Sequence, residues 1–216
     1  MLLHKRKVFF AHSVFNVWPD VYEPAEDTFL FADNLSVLPN SKIADMGTGC
    51  GILGITAATK TAEVLAIDIN PHAVACAKEN ARLNGVEDRM SFLCGDLFSA
   101  LGASETFDLV LFNAPYLPSE HGEGRAWIER AWTGGIDGRQ VIDRFILEVP
   151  KRLKSQGRIL LLQSSLSNIG KTIECFKTRN LQTRIVAERD LPFFESVALV
   201  EAKCKADLQA IQRMKK

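Results

Sequence analysis

The stretch Ser41-Lys-Ile-Ala-Asp45-Met-Gly47-Thr-Gly49-Cys-Gly51-Ile-Leu-Gly54 restricts the fold more than any other. A short apolar run ends in an acidic residue, three glycines follow at alternate positions, and a helical pattern runs from Ile52 to about Lys60. A strand that passes through a glycine turn into a helix opens a βαβ unit, which requires a parallel sheet with helices on its faces. Glycines at 47, 49 and 51 let backbone amides approach a ligand at the helix N-terminus. The same region matches a dinucleotide pattern, Gly49-x-Gly51-x-x-Gly54, with Asp68 nineteen residues after Gly49. Asp45 separates the two readings. A carboxylate at the strand end repels a pyrophosphate but attracts the ammonium of S-adenosylmethionine.

The neighbouring segments repeat the alternation. Glu63-Val-Leu-Ala-Ile-Asp68 is a second strand, ending in a carboxylate suited to accept both hydroxyls of a ribose. Asn70 caps the next helix, Pro71 takes its first position, and Asn84 or Gly85 ends it. Arg89 to Gly95 forms a third strand leading to Asp96 and Leu97, where a carboxylate beside an apolar residue suits the flank of an adenine ring. Asp96 is equally readable as a turn residue. Upstream, residues 1–20 read as an arm packed on the body. Val21 to Thr28 opens a helix, with Pro24 in the first turn and acidic residues at its positive end.

Phe107-Asp-Leu-Val-Leu-Phe-Asn113-Ala114-Pro115-Tyr116 is an apolar central strand that stops at an amide, a proline and an aromatic ring. Ligands of open α/β sheets bind at that end of the strands. The Asn113 carboxamide, the Ala114 carbonyl, the fixed φ of Pro115 and the flat face of Tyr116 suit a planar amino or amide nitrogen. Residues 117–136, with Trp127, Trp132 and Gly134-Gly135, lack periodicity and read as an ordered substrate flap. Val141, Ile142, Phe145, Ile146, Val149 and Leu153 recur at helical spacing, predicting a helix that Pro150 shortens and Gly157 closes. A fifth strand at 158–163, a helix at 168–178 and two strands at 181–189 and 193–202 follow. Residues 206–216 read as a weakly amphipathic tail, which leaves 21–205 as one domain.

Composition excludes several function classes. Twenty-six basic and 26 acidic residues cancel, so no global field draws the chain to nucleic acid or an anionic membrane. Five cysteines without a CxxC pair argue against a disulfide framework and fit a cytoplasmic protein. No apolar run approaches the ~18 residues of a membrane span. No metal is expected, because His4, His12, His72 and His121 are scattered.

Together, Asp45-x-Gly47-x-Gly49-x-Gly51, Asp68, Asp96 and Asn113-x-Pro115-Tyr116 resemble the class I S-adenosylmethionine-dependent methyltransferases. The resemblance implies a Rossmann-like, doubly wound seven-stranded α/β sheet that ends in an antiparallel hairpin. More narrowly, Val21-Tyr-Glu-Pro-Ala-Glu-Asp-Thr28, Ile128-Glu-Arg-Ala-Trp-Thr-Gly-Gly135 and Gly138-Arg-x-Val-x-Asp-Arg-Phe145 are similar to the HemK-like protein-glutamine methyltransferases of the archaeal and eukaryotic type. That similarity implies methylation of the glutamine in the Gly-Gly-Gln loop of a class 1 release factor, and a heterodimer with a small zinc-binding activator subunit. It further implies that Thr28, Asp45, Gly47, Gly49, Gly51, Asp68, Asp96, Leu97 and Asn113 hold the cofactor. Asn113, Ala114, Pro115 and Tyr116 then hold the target amide. The family usually has proline where Ala114 stands, yet the backbone carbonyl expected to act there is retained. A strand carrying Met90, Phe92 and Leu93 would lie at the sheet edge, open to a partner strand. The same tip also suits a flipped adenine, which leaves a nucleic-acid adenine N6-methyltransferase open. A protein-lysine methyltransferase is compatible with the same acceptor pair, and a catalytically silent cofactor-binding subunit with the alanine at position 114.

Overall fold

The computed structural model describes residues 5–120, 126–192 and 195–204. Strands β1 (Arg6–Phe10) and β2 (Ser13–Val17) form an antiparallel hairpin, followed by helix α1 (Glu26–Asp33). The chain then alternates β3 (Lys42–Met46), α2 (Ile52–Thr59), β4 (Glu63–Asp68), α3 (Pro71–Leu83), β5 (Met90–Cys94) and β6 (Phe107–Asn113). A short helix α4 (Trp127–Arg130), then α5 (Gln140–Glu148), β7 (Leu153–Ser164), α6 (Ile169–Lys177), β8 (Leu181–Asp190) and β9 (Ser196–Cys204) complete it. The seven-stranded sheet has the order β5-β4-β3-β6-β7-β9-β8, and β9 alone runs against the other strands. The expected doubly wound architecture with a terminal hairpin is therefore what forms. From β3 the chain winds outward to β4 and β5, then returns to place β6 on the other flank. The carboxyl ends of β3 and β6 thus form the switch point where a crevice opens.

Burial explains the strands. In β6, Phe107 and Leu109 through Phe112 are all buried, as a central strand covered on both faces requires. On one face Phe145 of α5 packs 4.6 Å from Phe112 and 5.7 Å from Phe98, measured between ring centres. On the other, Ile43, Leu111 and Leu160 meet Ile55 and Phe31 in one cluster.

Three expectations change. The arm at 1–20 is, over its described part, a hairpin whose Phe15 is fully buried. Asn80 of α3 accepts from the Asn16 amide at 2.8 Å and donates to the carbonyls of Asn16 and Cys50, tying the hairpin to the glycine turn. Pro24 precedes α1, whose first residue is Glu26 after an Ala25 cap. Gly157 closes no helix. Pro150 ends α5 in a 3-10 turn at Val149–Arg152, and the chain re-enters the sheet at Leu153. The register between β6 and β7 then jumps from Phe107↔Leu153 to Leu109↔Arg158. Gly157 sits in that irregularity, where a Cβ would lie 2.8 Å from the Phe107 carbonyl. The tail at 206–216 lies outside the described residues, as do His4 and His121.

Candidate cofactor and acceptor site

The β3–α2 turn is built around positive φ angles. Gly47, Gly49 and Gly51 adopt φ of +64°, +56° and +89°, which side-chain-bearing residues rarely occupy. Asp45 lies behind this turn. It is 1% exposed, and its Oδ2 accepts from the Thr48 hydroxyl at 2.6 Å and the Gly54 amide at 2.9 Å. Its Oδ1 is buried without a partner. Burial pushes the carboxyl up to about 7, against the two hydrogen bonds. Asp45 therefore shapes the turn from within, directly behind the residues that line the cavity. Gly54 has a matching explanation: a Cβ there would lie 2.8 Å from Asp45 Oδ2.

Asp68, at the end of β4, does face the cavity. It accepts from the Gly49 amide at 3.0 Å and the Asn70 amide at 2.9 Å, while burial raises its carboxyl above the usual range. Asp96 lines the cavity too, with its carboxylate engaged by Arg144 of α5 at 2.6 Å. Leu97 beside it is buried, with φ of +48°.

At the tip of β6 the Asn113 amide donates to Asp27 Oδ2 at 3.0 Å and to Thr28 Oγ1 at 3.2 Å. Its own Oδ1 is buried and has no partner. Tyr116 donates its hydroxyl to the same Asp27 oxygen at 3.0 Å. Ala114 is buried, its amide bonded to the Leu162 carbonyl at 3.3 Å. Thr28, which the resemblance groups with the cofactor residues, lines the cavity and is hydrogen-bonded to Asn113 at the tip of β6. Asp27 and Tyr22 enter the sequence reading only within the Val21–Thr28 motif and receive no site role there, because acidic residues at a helix start have a sufficient local explanation in the dipole.

The flap is held against this tip. Leu117 donates to the Trp132 carbonyl, Gly134 to the Leu117 carbonyl and Ser119 to the Gly135 carbonyl, all within 2.9 Å. A Cβ on Gly134 would meet the carbonyl oxygens of Gly138 and Pro115 at 2.5 and 2.7 Å, so only glycine permits the approach. Residues 121–125 lie outside the described part. Trp127, Trp132 and the Arg130 guanidinium, 5.2 Å over the Trp127 ring, form the outer wall. The cavity measures about 380 Å³ and joins the glycine turn to the Asn113 tip. Among the described residues no cluster of His, Cys, Asp or Glu is placed to hold a metal ion.

A family model described as the methyltransferase small domain matches residues 23–130. A Methanocaldococcus jannaschii protein, provisionally named a protein N5-glutamine methyltransferase, is 42% identical over 183 residues, 84% of this chain and 91% of its own. The chain belongs to the protein-glutamine N5-methyltransferase family. Human methyltransferase HEMK2 is 37% identical over 185 residues, spanning 81% of this methyltransferase and 86% of its relative. Among solved structures, the Encephalitozoon cuniculi Mtq2-Trm112 complex, described as responsible for methylating the termination factor eRF1, superposes with a TM-score of 0.67. The match has 26% identity and covers 86% of this chain and 99% of the other. A Thermus thermophilus 16S rRNA N2 G1207 methyltransferase shares the fold, with a TM-score of 0.72 at 17% identity over 95% of this chain and 51% of its own.

Proposed function

We propose that this methyltransferase uses S-adenosylmethionine to methylate the side-chain amide nitrogen of the glutamine in the Gly-Gly-Gln loop of a class 1 release factor. The observation that carries the reading is the buried, unpartnered Oδ1 of Asn113 next to Ala114. Both Asn113 N–H groups are committed to Asp27 and Thr28, which leaves Oδ1 as the unpartnered acceptor of a residue that lines the cavity. The nucleophile is an amide nitrogen whose lone pair is delocalised, and it needs acceptors for its two hydrogens.

The cavity fits the cofactor. Asp68 has spent one lone pair per oxygen on backbone amides, which leaves capacity to accept from two ribose hydroxyls. Gly47 and Gly49 supply a wall without side chains, and Ile69 and Leu97 supply apolar surface for an adenine ring. Asp96 lies at the rim with Arg144. When bound, the cofactor supplies an electrophilic methyl group on a sulfonium. Asn113 Oδ1 and the Ala114 carbonyl would accept hydrogen bonds from the two amide N–H groups, orient the lone pair and stabilise positive charge developing on nitrogen. Tyr116 presents its ring to the amide plane, with its hydroxyl held away by Asp27. Trp127 and Trp132 limit access of water.

The activator subunit, a small zinc-binding protein, pairs along β5. That strand is the sheet edge, where Phe92 and Leu93 are half-buried. Charge balance argues against a nucleic-acid substrate, and among the described residues no helix is long and apolar enough to cross a membrane. The reaction belongs to the cytoplasm, where release factors act.

The test is transfer of labelled methyl groups to a release factor, with and without a Gln→Ala change in its Gly-Gly-Gln loop, and with and without the activator. Label confined to the intact glutamine supports the reading. Cofactor binding without label on either substrate overturns it.

A further inference from the structure

Asp27 gathers the donors around the Asn113 tip. Its Oδ1 accepts from Tyr22 Oη at 3.2 Å, from the Thr28 amide at 2.6 Å and from Thr28 Oγ1 at 3.1 Å. Its Oδ2 accepts from Asn113 Nδ2 and Tyr116 Oη, both at 3.0 Å. The side chain is 5% exposed and stands in the first turn of α1, where backbone N–H groups and the helix dipole favour an anion. All five partners donate, so a carboxylate satisfies them in a way that no neutral side chain of this size does.

We infer that Asp27 is a positioning residue for methyl transfer: it fixes the Asn113 amide with its oxygen free for the substrate and holds the Tyr116 ring in place. The inference rests on the proposed glutamine reaction and deepens it. Without a carboxylate opposite Nδ2, the two orientations of the Asn113 amide compete, and one of them points donors at the N–H groups of the substrate. An acceptor polarised by a buried anion through the amide is also the stronger acceptor. The cost of losing this control falls on turnover, because misplacement at a reacting centre costs about 10²-fold.

The chain offers a direct readout that a merely structural role would not move. Tyr22 and Tyr116 are its only tyrosines, and both donate to Asp27. Burial first, and then the Asp27 charge, push both phenols well above their ordinary range; Tyr22 and, less, Glu195 add to the upward push on Tyr116. In Asp27→Asn the near-isosteric amide removes the charge, so both phenols ionise at lower pH.

The experiment compares wild type, Asp27→Asn and Asp27→Glu in complex with the activator. In that complex it measures kcat on the release factor and cofactor affinity by calorimetry; phenolate absorbance against pH is read on this full chain without the activator, so that Tyr22 and Tyr116 are the only phenols present, with circular dichroism recording the folded range. The expected result is a loss of about 10²-fold in kcat for Asp27→Asn, cofactor affinity within about twofold of wild type, and a downward shift of the phenolate titration. Asp27→Glu, which keeps the charge, is expected to recover part of the loss. Unchanged kcat, or cofactor affinity falling in step with kcat, overturns the inference, as do unmoved phenols. Should wild type transfer no methyl to glutamine, the proposed reaction fails separately, and unmoved phenols in Asp27→Asn still refute the placement of Asp27.

Discussion

Replacing Gly54 with alanine separates two explanations for a glycine in the first turns of α2. In a dinucleotide turn the third glycine serves close packing of helix and strand around a bound pyrophosphate. Here the added methyl would lie 2.8 Å from Asp45 Oδ2, 3.1 Å from Met90 Cε and 3.2 Å from Val64 Cγ1. The Met90 tip can swing, but the Asp45 oxygen is fixed by Thr48 and by the Gly54 amide itself. Overpacking costs about 1–3 kcal/mol, and disturbing a hydrogen bond to a buried carboxylate costs about 1–3 kcal/mol more. Alanine returns about 1 kcal/mol of helix propensity. The net loss is about 1–5 kcal/mol, and its middle value lowers Tm by roughly 6–12 °C in a chain of this size. Urea unfolding of Gly54→Ala, alone and with Asp45→Ala, checks it. The penalty is expected to shrink when residue 45 is also alanine, because the two sites share the clash. A Gly54→Ala protein as stable as wild type, or equal penalties in both backgrounds, would refute this account.

Three further outcomes are expected. Asn113→Ala removes the free amide acceptor and lowers kcat by about 10²–10³-fold, with cofactor affinity by calorimetry largely intact; parallel loss of both would move Asn113 to the cofactor. Asp45 is a carboxylate whose folded value, about 7, lies above its ordinary 3.8, so the folded state holds the extra proton between these limits. Stability from this group is then full below the lower limit and lost as pH rises toward the upper one. Chemical denaturation at pH 5 and pH 8 should show wild type losing more stability than Asp45→Asn. Asn80→Ala leaves the Asn16 backbone without its buried partners, at a cost of about 1–3 kcal/mol. Hydrogen exchange should then show faster exchange at Asn16, while the β3 and β6 amides stay protected.

The elements legible in the sequence are those whose determinants are local. Strand, glycine turn and helix around Asp45 to Lys60, the Asn70-Pro71 cap and the terminal strand pair all follow from periodicity and from residues with restricted backbones. Gly157 misleads for a physical reason. The apolar spacing from Val141 to Leu153 continues smoothly through a proline, and only the pairing of β7 with β6 reveals that the chain has already returned to the sheet. The hairpin at Arg6–Val17 is hidden in the same way, since its anchors are Asn80 and Asn84 of a distant helix.

Asp27 and Asp45 carry this distinction into the site. Each is legible as an acidic residue at a helix start or a strand end, and in each case the informative contact lies beyond the reach of a local reading. Asp27 meets Asn113 across 86 positions of chain, and Asp45 meets a glycine nine residues on. A carboxylate is acceptor-only, so it can collect several N–H and O–H groups at one point. Asp45 shapes the glycine turn through one accepting oxygen, Oδ2, and Asp27 uses both of its oxygens to orient an amide and a phenol. Glycine backbone, Asn113 and the aromatic rings of Tyr116, Trp127 and Trp132 line the cavity together with Asp27, Asp68 and Asp96. That division suits a weak nucleophile: rate depends on the direction in which an acceptor points, and a charge placed behind the acceptor sets that direction without competing for the substrate hydrogens.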